Sequence, residues 1–178
     1  MQVGYVLPSV GRDLRLLEIA IKSVLEQPCE SSLVIVSPEN ANSVHKIARE
    51  YNLPVIWDRS IGVPAAFNLG VEYLESKGVD YFGVLGEDDQ LLPNSTINLL
   101  KAFKDETVQA AVGQIWYINN KGEIVFHNRA FPSLLPILHL IPNVIPHPGS
   151  LCRISVWKLV GGFDQKYKFA SDLDFWLK

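Results

Sequence analysis

Apolar residues in the first half of the chain fall into short blocks, separated by longer stretches where they recur every three or four positions. The blocks Val3 to Leu7, Leu33 to Val36, Pro54 to Trp57 and Tyr81 to Leu85 each read as a strand, the last of them buried. Between them, Arg12 to Gln27 sets Leu14, Leu17, Ile21, Val24 and Leu25 at helical spacing. Ala41 to Tyr51 turns Val44, Ile47 and Ala48 to one side. Pro64 to Lys77 does the same with Ala66, Leu69, Tyr73 and Leu74, and Gly78 then closes it as a C-terminal cap. Strands alternating with helices in this way predict a parallel sheet with crossover helices on its faces.

After Asp89 the pattern changes. Pro93 to Phe103 predicts a helix with Ile97, Leu100 and Phe103 inward. Gln109 to Ile118 is a long β-prone run, Asn119–Gly122 a turn, and Glu123 to Phe126 a returning hairpin strand. Beyond an apolar run from Phe131 to Pro148 come a strand at Ser150 to Ile154, a short helix at Val156 to Val160 and the turn Gly161-Gly162. A last helix, Ala170 to Leu177, carries Asp172 and Asp174. No repeat or linker interrupts the chain, so residues 1–178 read as one domain.

Composition narrows the function. The net charge of −3 over 178 residues, with no basic run, gives nucleic-acid binding no electrostatic support. Cys29 and Cys152 are far apart and are expected to be unpaired thiols of a cytoplasmic protein. The N-terminus lacks the basic and apolar regions of a signal peptide. The apolar run is broken by Pro132, Pro136, Pro142, Pro146 and Pro148, too often for a simple spanning helix. It reads as a channel for a ligand, a shallow contact with the inner face of a membrane, or a loop packed on the sheet.

The candidate chemistry begins at Gly86-Glu87-Asp88-Asp89-Gln90, directly off the end of the fourth strand. Adjacent carboxylates repel, and a divalent cation such as Mg²⁺ or Mn²⁺ offsets that repulsion with hard oxygen ligands. Ligands of open α/β sheets bind at such strand ends. The competing reading is an acidic turn that caps the helix starting near Pro93.

At this point the chain resembles a family 2 glycosyltransferase of GT-A fold. The matching pieces, in order, are Pro8-Ser9 with Ser23-Val24-Leu25-Glu26-Gln27, then Gly62 to Gly70 with Asn68, then Leu85 to Pro93. His147-Pro-Gly-Ser-Leu-Cys-Arg153, Val160-Gly-Gly-Phe-Asp164 and Ala170 to Leu177 follow. The resemblance implies a Rossmann-like, mostly parallel sheet with helices on both faces and an added antiparallel hairpin. Residues 1–92 then form the nucleotide-sugar half and residues 93–178 the acceptor-side half. The family normally continues beyond the Asp-x-Asp helix, so a truncated and a minimal acceptor half both stay open.

The implied activity is inverting transfer of a sugar from a nucleotide-diphosphate donor to a glycan or lipid-linked acceptor, dependent on Mn²⁺ or Mg²⁺. The resemblance assigns Asp89 to the metal, and Asp88 to the metal or the ribose. It sets Pro8, Ser9, Val10 and Arg12 along the nucleotide, and makes Asp172 the general base that deprotonates the acceptor. Asp172 as a helix cap is the alternative. His147 and Asp174 are candidate contacts to acceptor or diphosphate.

The chain departs from the family pattern at four places. Val10-Gly11 replaces Tyr-Asn. Ser37-Pro38-Glu39 replaces the aspartate after the second strand, leaving Glu39 as the candidate for the base contact. Phe67 replaces an arginine, and Gly86 replaces the first acid of the DXD segment. Two other functions stay in play: a non-catalytic sugar-nucleotide-binding module, and a sugar nucleotidyltransferase. The latter wants a richer phosphate loop than Val10-Gly11-Arg12.

Overall fold

The structure is a computed structural model that describes residues 1–59, 62–128 and 147–178. The apolar run from Phe131 therefore lies outside the described residues up to position 146. Strands β1 (Val3–Pro8), β2 (Ser31–Pro38), β3 (Val55–Asp58) and β4 (Tyr81–Val84) pair in parallel. Helices α1 (Leu14–Leu25), α2 (Asn42–Glu50) and α3 (Val63–Ser76) cross over between them. Strand β8 (Ser150–Arg153) pairs antiparallel with β4, and β5 (Ala110–Val112) antiparallel with β8. The order across the sheet is β3-β2-β1-β4-β8-β5. Strands β6 (Ile115–Ile118) and β7 (Ile124–Asn128) form a separate two-stranded ribbon.

The two-residue period of the strands sorts side chains to two cores. Val3, Tyr5, Leu7, Leu33 and Ile35 pack with Leu17, Ile21, Val24, Val44, Ile47 and Ala48 of α1 and α2. On the other face, Val6, Val34, Val36, Phe82 and Val84 meet Ala66, Val71 and Leu74 of α3. The same face receives Ile154 of α5 (Ile154–Val160), Phe163, and Phe175 of α6 (Ser171–Leu177). Helices thus cover both faces, as expected.

Several local expectations are corrected. Leu14 and Leu25 of α1 are exposed, and Ala20 completes the buried stripe instead. Helix α4 is only Ser95–Leu100, followed by a 3-10 turn at Lys101–Lys104. Within it Thr96, not Ile97, is buried. The Thr96 hydroxyl pairs with the Tyr5 hydroxyl at 2.8 Å, and its N–H donates to Gln27 Oε1 at 3.1 Å. Polar anchoring fixes this short helix where an apolar stripe was expected. The long β-prone run splits in two at Gly113-Gln114. There the N–H of Gly113 donates to the carbonyl of Gly149 at 2.7 Å, and a side chain on Gly113 would meet that carbonyl at 3.0 Å. The first piece joins the main sheet and the second forms the ribbon.

Helix α3 lies unusually close to β1. A methyl group on Gly4 would meet Leu74 Cδ2 at 2.5 Å, and one on Gly70 would overlap the branched side chain of Val6. Valine is stiff at χ1 and cannot swing away. Gly70→Ala is therefore expected to destabilise the protein by about 1–3 kcal/mol, the usual scale of overpacking, against a helix-propensity gain of about 1 kcal/mol. Urea denaturation reads the difference. A midpoint equal to or above the parent's would show that α3 has room to shift.

Candidate active site

The loop after β1 is held by an acid from the loop after β4. The Ser9 hydroxyl donates to Glu87 Oε2 at 2.5 Å, the N–H of Gly11 to the same oxygen at 3.0 Å, and the N–H of Arg12 to Oε1 at 3.3 Å. The Glu87 side chain is only 12% exposed, whereas that of Arg12 is 85% exposed, with Nε 4.0 Å from Glu87 Oε1. Ser9 is fixed a second time, its N–H donating to Val36 O at 2.9 Å. Pro8, Ser9, Val10 and Arg12 thus lie beside the acidic turn, with Val10 and the guanidinium facing solvent. Glu39 is exposed in the turn after β2, and among the described residues no hydrogen bond or ion pair ties it to this group.

The acidic turn itself is tight. Asp89 folds back so that Oδ2 accepts the N–H of Gly86 at 2.9 Å, and its own N–H donates to Gly86 O at 3.2 Å. Burial pushes the Asp89 carboxyl pKa up, the Gly86 N–H opposes this, and the charge of Asp88 adds to the rise. Asp88 is exposed. A side chain on Gly86 would meet Asp89 Oδ2 at 2.8 Å and Asp88 Oδ1 at 3.0 Å, so both carboxylates converge on the space that the family's first acid would fill. None of the three acids caps α4: Asn94 precedes that helix, and its first turn holds no acid.

Two facing carboxylates with hard oxygen donors, one of them half-buried and uncomfortable as an anion, suit a divalent cation. Among the described residues no group of three or more His, Cys, Asp or Glu is placed to hold a metal. Asp88 and Asp89 would supply part of a coordination shell, and the oxygens of a bound diphosphate or water the rest.

The acceptor-side residues reach the same edge of the sheet through strand direction. β8 runs against β4 with Phe82 opposite Cys152, so the start of β8 lies beside the end of β4. His147 lies just before that start, and the Ser150 hydroxyl donates to its carbonyl at 2.7 Å. The imidazole packs among Phe67 and Phe163, each 5.5 Å away between ring centroids, and Trp176 at 6.0 Å. Among the described residues, neither ring nitrogen has a hydrogen-bond partner. Burial pushes the His147 pKa down to about 4, while the charge of Asp172 pulls it up.

Asp172 lies inside the first turn of α6, where Ala170 is the cap residue, and its Oδ1 accepts the N–H of Leu173 at 2.8 Å. Asp174 pairs instead with Lys178 Nζ, 2.7 Å away. The charge of Asp172 thus reaches the His147 ring, while Asp174 is engaged by Lys178.

Two residues without an assigned role emerge from the geometry. One is Glu87, read in sequence only as part of the acidic triplet. The other is Asn68 of α3, whose side chain clamps the turn after α5. Its Nδ2 donates to Phe163 O at 2.9 Å, while Oδ1 accepts the N–H of Phe163 at 2.9 Å and Trp157 Nε1 at 3.0 Å. Gly162, at φ +74°, lets this turn pass, since a side chain there would meet Asn68 Oδ1 at 2.7 Å. The recurring Asn of the resemblance was the available signal. In the same way Gln27 of the Ser-Val-Leu-x-Gln stretch bonds Leu92 O and the N–H of Thr96, and Ser23 Oγ accepts the N–H of Leu91.

Solved structures share this fold. Staphylococcus aureus TarS 1–349 in complex with UDP superposes with a TM-score of 0.74 at 19% identity, over 99% of this chain and 54% of that one. The mannosyltransferase PcManGT from Pyrobaculum calidifontis, in complex with GDP-Man and Mn²⁺, gives a TM-score of 0.63 at 15% identity, covering 96% of this chain and 50% of that one. In sequence, a chondroitin synthase of Pasteurella multocida is 30% identical over 118 residues, which are 66% of this chain and 12% of that protein. A hyaluronan synthase of Streptococcus pyogenes is 30% identical over 123 residues, 64% of this chain and 29% of that protein. The chain thus spans a minor part of these synthases and about half of the solved transferases. The fold is GT-A, and the pattern described as "Glycosyl transferase family 2" matches residues 6–159. This chain belongs to glycosyl transferase family 2.

Proposed function

We propose that the chain catalyses inverting transfer of a sugar from a nucleotide-diphosphate donor to a hydroxyl of a glycan or lipid-linked acceptor. One observation carries this reading: the paired carboxylates Asp88 and Asp89 and the carboxylate of Asp172 are set around a single edge of the sheet, the first two beside the Ser9 loop. TarS has been solved with UDP and with UDP-GlcNAc, and PcManGT with GDP-Man. UDP-linked sugars are therefore the first donors to try and GDP-linked sugars the second.

The Ser9 loop, tied down by Glu87, borders the nucleotide, with Pro8 and Val10 against it and the exposed guanidinium of Arg12 able to reach a phosphate. Asp88 and Asp89 would hold Mn²⁺ or Mg²⁺. When bound, the cation supplies positive charge against the departing diphosphate. Asp172 accepts the proton of the acceptor hydroxyl as that oxygen attacks the anomeric carbon from the face opposite the diphosphate. The oxygen–carbon bond forms, the carbon–phosphate oxygen bond breaks, and the configuration inverts.

The strand-end setting of Glu39 and its exposure leave it free to meet the nucleobase. A peripheral contact with a membrane, and a cytoplasmic setting, belong to this reading too. No helix among the described residues is long and apolar enough to cross a membrane.

Three outcomes are expected. Asp88→Ala combined with Asp89→Ala should abolish Mn²⁺-dependent binding of UDP or GDP in calorimetry while the circular dichroism spectrum stays that of the parent; undiminished affinity would remove this pair from the metal site. Asp172→Asn should leave donor binding nearly unchanged and lower sugar release or transfer by roughly 10²-fold or more, the usual scale of a lost acid–base group. Full turnover in that variant would move the base elsewhere. Glu87→Gln keeps the side-chain shape but puts an N–H where an acceptor is needed. It should weaken nucleotide binding about tenfold through the loosened Ser9 loop, since hydrogen bonds to a charged partner are worth about 1.5–3 kcal/mol. Parent-like affinity would show that the loop keeps its shape alone.

A further inference from the structure

The mechanism proposed above leaves one buried titratable side chain at the catalytic edge without a task. His147 is 9% exposed, is enclosed by Phe67, Phe163 and Trp176, and has two nitrogens with no hydrogen-bond partner among the described residues. A buried polar group without a hydrogen bond is costly, and phenylalanine would fill an aromatic cage without that cost. Retention of an imidazole there points to a use for its nitrogens.

The nearest use is Asp172. Trp176, which packs on the imidazole, is four residues beyond Asp172 on α6, so both side chains share the helix face turned toward His147. Asp172 Oδ1 is engaged by the N–H of Leu173, which leaves the second oxygen free. The charge of Asp172 reaches the imidazole, opposing the burial that holds His147 neutral. A neutral imidazole carries one N–H donor. Other charges on the surrounding elements are occupied. Asp174 of α6 pairs with Lys178, and Asp164, after Phe163, accepts the N–H of Lys166. Helix α3 presents the apolar Phe67, and before β8 the His147 carbonyl is taken by Ser150.

We propose that His147 is a positioning residue for the general base: in the substrate-loaded enzyme its ring N–H donates to the free oxygen of Asp172, turning the carboxylate toward the acceptor hydroxyl and favouring its ionised form. The inference rests on Asp172 being that base. Catalytic hydrogen bonds are often open before substrate binds and close in the loaded complex, which accounts for the unpartnered nitrogens.

The test compares His147→Phe, His147→Gln and Asp172→Asn in Mn²⁺, using whichever UDP- or GDP-linked sugar the parent cleaves. Readouts are thermal midpoint, donor affinity, and the pH profile of kcat for sugar release. His147→Phe is expected to melt at or above the parent temperature and bind donor equally well. Its kcat should fall roughly 10- to 100-fold, the scale on which outer partners of a reacting group act. A hydrogen bond donated to a carboxylate favours the charged form, so its loss should move the acidic limb of the profile up by about one pH unit. His147→Gln, which keeps an N–H, should recover part of the rate. Parent-like kcat and limb in His147→Phe, with Asp172→Asn inactive, would overturn this role and leave the base intact. Weakened donor binding with an unmoved limb would make His147 a ligand contact and also overturn it. Full turnover in Asp172→Asn would remove the base and this inference together. If phenylalanine does not fit the cage, His147→Leu carries the same comparison.

Discussion

The side chain of Glu87 accepts the Ser9 hydroxyl and the N–H groups of Gly11 and Arg12. These donors come from the turn that closes β1, while Glu87 comes from the turn that closes β4, its neighbour in the sheet. A mostly buried carboxylate is stable only where donors surround it, and here they do. The contact locks the turn after β1 to the turn after β4. Of three consecutive acids, one is therefore spent on structure, and its charge is directed away from the other two. That division lowers the repulsion at Asp88 and Asp89.

The second constraint is strand direction. Because β8 runs against β4, the segment that carries His147 arrives at the carboxyl end of the parallel strands. Asn68 then fixes the turn at Gly162 and Phe163, and Phe163 stacks on Phe175 of α6 at 4.6 Å between centroids. The position of Asp172 is thus set through a chain of contacts that begins in α3. Substitution of the family's arginine by Phe67 fits this chain. Its side chain packs on both His147 and Phe163, converting a polar position into part of the support for α6.

Much of the fold was legible because the parallel half obeys local rules. Valine-rich blocks, helical spacing and the cap at Gly78 are all patterns within one element, and the strands and helices of this half appeared where those patterns set them. The misses share a cause. Helix α4 is held by Tyr5 and Gln27, both far away in sequence, so its inward residue is the polar Thr96. The β-prone run breaks at Gly113 because of Gly149, again a distant partner. At the site, residue types in the acidic turn and in α6 suggested the chemistry proposed above, and motif resemblance suggested the roles. The separation of roles did not show: Glu87 as a clamp, Asp174 as half of an ion pair, and the proximity of His147 to Asp172 all depend on long-range packing.

The groups that fit the surrounding structure least well are also the ones nearest the proposed chemistry. Asp89 is desolvated beside a second carboxylate, and His147 is desolvated without a hydrogen-bond partner among the described residues. Ser9, Glu87 and Asn68, by contrast, make several bonds each. A cation between Asp88 and Asp89, and an acid–imidazole bond at Asp172, would relieve both costs only when ligands are bound. The unbound protein thus carries electrostatic penalties that binding cancels, and that difference favours the loaded state over the empty one. Local frustration of this kind costs stability, so it is kept where ligands repay it and removed where they do not.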